Sequence, residues 1–153
     1  MPCFPKSFLI SIECRRCSMS RGIGAFAHLI LQDEENVLYA YGSYNWNDKM
    51  YYNDNRICDG IITINRSCFV DPDIHEKLKK LPSGRKKLVT KRIPNSVNYE
   101  QMIIDGSIQI ENSTNCWKTS DYGIDVMALH LLYRLFLQYQ EEGLIPECVN
   151  YNV

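Results

Sequence analysis

The stretch Tyr122–Gly143 constrains the fold of this chain more than any other. Ile124, Met127, Ala128, Leu131, Leu135 and Tyr139 recur there at spacings of three and four, one continuous helical stripe. Val126, Leu129, Leu132, Tyr133, Phe136 and Leu137 are also apolar and lie off that stripe. A helix apolar around most of its circumference is a buried one. The pattern predicts a helix entered at Ser120 or Asp121 and stopped by Gly143, with Pro146 just beyond. His130, its one side chain suited to chemistry, is expected to be a hydrogen-bonded core residue.

The rest of the chain must supply what that helix packs on. Phe8, Ile10 and Ile12 alternate in Lys6–Cys14, which predicts an opening strand, followed by a polar loop over Cys14–Gly24. Ile23–Leu31 and Val37–Ser43 are apolar runs separated by five polar residues, the pattern of a hairpin. Tyr44–Arg56, rich in Asn, Asp and Tyr, reads as an exposed loop. Ile61–Asn65 reads as a short strand.

Asp71, Pro72 and Asp73 offer a cap, a first-turn proline and a dipole-matched acid. With Ile74, Leu78 and Leu81 at helical spacing, they predict a short helix ended by Pro82. Lys86–Ile93 reads as a strand, Asn98–Asp105 as a second short helix and Ser107–Glu111 as another strand. The expected class is α+β: a largely antiparallel sheet packed on one long C-terminal helix, with one or two short helices. At 153 residues a single domain over 1–153 is expected.

The start carries no charged segment leading into an apolar one, and no apolar run reaches a membrane-spanning length. Seven cysteines, an odd number, then suit a reduced set in the cytoplasm. The net charge of −1 conceals a strong segregation. Residues 1–76 hold seven basic and ten acidic side chains, residues 77–92 eight basic and none acidic, and residues 93–153 two basic and eight acidic.

Three features suit function. The basic stretch suits a phosphate backbone or an acidic protein, with Arg85, Lys86, Lys91 and Arg92 the first choices for contact. Its bland alternative is a solvated helix end and an edge strand guarded by lysines. Tyr44, Trp46, Tyr51 and Tyr52 have the composition of a protein-binding or base-stacking surface, whereas Tyr39 and Tyr41 share a sheet face. Cys14 and Cys17 are candidate metal ligands, but a structural zinc site needs four ligands and no second such pair follows. No nucleophile–base motif or glycine-rich phosphate cradle is present, and the three histidines form no spacing motif, so neither catalytic residues nor a cofactor are expected.

Leu38–Asn45, Asp59–Ile64, Leu81–Lys86 and Gln140–Glu147 resemble segments of a group of small uncharacterised bacterial cytosolic proteins. The resemblance spans most of the chain and implies no activity. In size, class and want of a catalytic motif the chain is also similar to bacterial immunity proteins that neutralise a cognate toxin. The leading expectation is therefore a non-catalytic cytosolic protein that binds another protein, such as a toxin domain. A nucleic-acid-binding module using residues 77–92 is the alternative, and a small hydrolase the third.

Overall fold

The computed structural model describes residues 21–153; the expected strand Lys6–Cys14 and the pair Cys14 and Cys17 lie outside them. The hairpin forms where the apolar runs place it, as β1 (Ile23–Gln32) and β2 (Asn36–Asn45). Its turn is closed by Asp33, whose Oδ1 accepts from the Glu35 and Asn36 amides at 2.8 and 2.7 Å. β3 (Gly60–Asn65) and β6 (Ile108–Glu111) add to one side of the hairpin and β7 (Cys148–Asn152) to the other. The sheet runs β6-β3-β2-β1-β7, antiparallel throughout.

Alternation decides which face is covered. Ala25, Ala27, Val37, Tyr39, Tyr41, Ile62, Ile64 and Val149 point to one side and are buried there. Against them packs the long helix α2 (Val126–Glu142), burying Met127, Ala128, Leu131, Leu132, Leu135 and Phe136. The short helix α1 (Tyr99–Ile104) is capped by Asn98, whose Oδ1 accepts from the Gln101 amide at 3.1 Å, and lies beside β6. The α+β class and the antiparallel sheet packed on a long C-terminal helix thus hold.

Three expectations change, and one strand, β7, was not expected. The long helix starts at Val126, not near Ser120, because Gly123 turns the chain at φ 79° and Asp125 caps instead. His130 is exposed, not core: its ring stacks on Tyr151 at 4.4 Å between centroids. The chain's last strand, β7, pairs with β1 although its asparagines hid the alternation of Val149 and Tyr151.

The largest change concerns the helix expected over residues 71–81. Those residues are strand β4 (Asp73–Lys80), paired along its whole length with β5 (Lys86–Ile93). A lone two-turn helix is marginal in water even when well capped. Here a β-branched partner strand lies only a turn away, and Leu81 and Arg85 close that turn through a 2.7 Å backbone bond. Gly84, at φ 87°, supplies the left-handed position such a turn needs.

Candidate functional site

β4 and β5 form a sheet of their own, a two-stranded ribbon in which every residue of both strands is exposed. The register sorts its side chains onto two faces. One face carries His75, Lys77 and Lys79 opposite Lys91, Val89 and Lys87. The other carries Ile74, Glu76, Leu78 and Lys80 opposite Arg92, Thr90, Leu88 and Lys86, with Arg85 in the turn. Lysines two residues apart on one strand stand about 6.6 Å from each other. The two acids face no cation directly across the register, Asp73 lying opposite Ile93 and Glu76 opposite Thr90, but Lys91 and Arg92 are their diagonal neighbours.

The neck of the ribbon is held to the C-terminal end of α2. Tyr139 donates to Asp71 Oδ1 at 2.9 Å, and Gln140 Nε2 donates to the Val70 carbonyl at 3.1 Å. Asn95 Nδ2 ties the two sides of the neck by donating to the Asp71 carbonyl at 2.9 Å. Gly143 ends α2 in the left-handed conformation, and a Cβ there would come within 2.7 Å of the Arg92 guanidinium. Arg92 therefore sits against a helix C-terminus, where the dipole favours a cation. Of the four expected contact cations, Arg85, Lys86 and Lys91 stand out on the ribbon, while Arg92 belongs to its root.

The aromatic residues gather elsewhere. Phe26, Tyr44 and Trp46 form a stack on the sheet face away from α2, with centroids 6.4 and 5.0 Å apart. The Arg56 guanidinium lies 4.0 Å over the Phe26 ring. Tyr44 also donates to Asn152 Oδ1 at 2.7 Å. β2 runs on to Asn45, Lys49–Tyr51 make a single 3-10 turn, and Asn53 pins the loop by bonding Ile57 and Ser43. Trp46 and Tyr52 are exposed and Tyr51 half-buried, while Tyr39 and Tyr41 are fully buried. Asn115 joins this loop to the approach to α2 by donating to the Ser43 and Tyr52 carbonyls. The aromatic stack thus lies on the sheet face away from α2, whereas the ribbon is rooted at the C-terminal end of α2. They make two surfaces, not one.

Among the described residues, the groups that could do covalent chemistry are not brought together. His28 and His130 lie on opposite faces of the sheet, and His75 is on the ribbon. Burial pushes the Cys116 thiol up to about 11 and raises Cys58 and Cys68 as well, the reverse of what a nucleophile needs. Among the described residues no three His, Cys, Asp or Glu side chains are grouped to hold a metal ion.

One polar cluster escaped the sequence: Asp125, fully buried, accepts from the Tyr41 hydroxyl and the Met127 amide, each at 2.9 Å. Tyr41 in turn accepts from the Ser113 amide at 3.0 Å, and Asn112 Oδ1 accepts from the Asp125 amide at 2.9 Å. An aspartate just before the first apolar residue of a helix was the available signal. The cluster joins β2 to the α2 cap.

No protein-family model matches this chain, and neither a curated protein nor a solved structure is similar to it. Among the described residues no helix is long and apolar enough to cross a membrane.

Proposed function

We propose that this is a non-catalytic nucleic-acid-binding protein whose contact element is the β4–β5 ribbon. The observation that carries this reading is that exposed cations occupy both ribbon faces and the turn. A flat protein partner meets one face of a ribbon, whereas a groove walled by two phosphate strands meets both. The major groove of B-DNA is about 12 Å wide and admits a two-stranded ribbon. Lys77, Lys79, Lys87 and Lys91 would meet one wall, and Lys80, Lys86 and Arg85 the other wall and the floor. The acidic remainder of the chain is repelled by phosphate, so the ribbon would lead.

The experiment is fluorescence anisotropy with labelled duplex DNA, duplex RNA and single strands at low ionic strength. The full chain should bind a duplex, and the Lys77→Glu/Lys79→Glu/Lys87→Glu/Lys91→Glu variant should lose at least a hundredfold in affinity. Absence of binding to any of these probes would sink the proposal.

A second reading is favoured by the aromatic surface. Trp46, Tyr52 and Met50 are exposed beside the Phe26–Tyr44 stack, a composition suited to protein recognition. With the resemblance to immunity proteins, this supports capture of a protein partner such as a toxin domain, in the cytoplasm. Affinity capture should then recover a stoichiometric partner that is lost on Trp46→Ala and retained by the four-lysine variant.

A further inference from the structure

The outer side of α2 is left open on both flanks of α1. On one flank Val97, Tyr99, Tyr133 and Leu137 help to line a pocket of about 320 Å³. On the other, Ile103, Ile104, Tyr122 and Leu129 help to line one of about 380 Å³. Ile104 and Tyr122 are 63% and 75% exposed, so this second pocket, a groove between α1 and α2, offers an apolar floor to solvent. Glu100 and Asp121 lie in its wall, and Asp105 ends α1 beside it.

The apolar face of the ribbon has the opposite chemistry. Ile74, Leu78 and Leu88 are 56%, 62% and 54% exposed, with Leu78 and Leu88 directly opposed in the register. Lys80 and Lys86 frame them at the tip. A lone two-stranded ribbon is marginal in water without a surface to cover its apolar side. Its own chain provides none, because both strands are exposed along their whole length.

We infer that the apolar ribbon face of one copy docks into the acidic α1–α2 groove of a second copy. Charge selects the occupant. The ribbon residues 73–93 carry eight basic side chains against two acidic, and residues 94–153 carry two basic against eight acidic. Pairing two ribbons edge to edge would instead bring lysine rows together, which strand edges use to prevent association. Ribbon-into-groove contact is heterologous, because it joins two different surfaces of one chain. Assembly therefore continues head to tail, into a closed ring where the rotation closes and an open filament where it does not. The lysine face with Lys77, Lys79, Lys87 and Lys91 points away from this contact; docking one face and entering a groove with both are alternative uses of the ribbon, so the inference does not rest on nucleic-acid binding.

Sedimentation velocity of the full chain over a range of concentrations tests it. Wild type should associate with rising concentration, and less so with added salt. A ribbon variant (Leu78→Ser/Leu88→Ser) and a groove variant (Glu100→Lys/Tyr122→Ser) should each be monomeric. Mixed together they should form a one-to-one dimer and nothing larger, since one intact ribbon and one intact groove remain. That dimer also shows that both variants are folded. A wild type that stays monomeric, a mixture that stays monomeric, or a dimer indifferent to both variants would each overturn the inference.

Discussion

Asp125 is the residue on which the join between sheet and helix turns. It is fully buried, and that burial holds its carboxyl above the usual range even though Met127 and Tyr41 donate to it. Burial and the neighbouring Asp125 likewise keep the Tyr41 hydroxyl protonated well past its ordinary range, so it remains a donor. A native value above the unfolded one means that the folded state holds this proton more tightly. The stabilisation is complete below the unfolded value, 3.8, and is lost as pH rises through the native value. Wild type should therefore gain stability over Asp125→Asn as pH is lowered from neutral towards 4, read as the difference in urea midpoints. Asp125→Ala removes a helix cap, worth about 1 kcal/mol, and strands a buried hydroxyl, worth about 1–3 kcal/mol more. A loss of about 2–4 kcal/mol in urea unfolding at neutral pH is expected, and a loss under about 0.5 kcal/mol would contradict this account.

Among the elements, those set by burial were the legible ones. β1, β2, β3 and β6 alternate because one face meets α2, and that face is written into every second residue. The end of α2 was legible for a different reason, since Gly143 takes a conformation that glycine tolerates best. The ribbon was not legible as a ribbon: it buries nothing, so its side chains answer to no core. Asp71, Pro72 and Asp73 sent a helix-cap signal there that an adjacent strand outweighed. Its cations were plain in the sequence, but their placement on two faces needed the register, and the separation of the aromatic residues needed the two faces of the main sheet to be told apart.

Because the ribbon contributes no core residue, it should be separable from the fold. Asp73 and Ile93 are paired, so the neck can be closed by a short glycine-rich turn replacing residues 74–92. The shortened chain should keep its unfolding free energy to within about 1 kcal/mol, as expected where only surface contacts are lost. It should also lose all duplex binding. A large loss of stability in urea would mean that the ribbon is part of the core after all.

At the scale of the whole molecule, a net charge of −1 gives no reason to expect affinity for a polyanion. Affinity for phosphate would come from the local arrangement, because exposed charges beyond roughly 8–10 Å are screened at ordinary salt. The acids of α2 lie at and beyond the root of the ribbon, while Lys79, Lys80, Lys86 and Lys87 are at its tip. The count of released counterions should therefore follow the ribbon and ignore the remainder of the chain. Seven of its eight cations are clear of Arg92's place at the helix end; if each meets a phosphate, log affinity should fall against log salt with a slope of about −6. Replacing Lys77 and Lys79 by Gln should make the slope shallower by about 2. Glu141→Gln/Glu142→Gln, which raises the net charge by the same amount as those replacements lower it, should leave the slope where it was. A slope that followed net charge in both variants would place the contact in the overall field of the molecule and not on the ribbon.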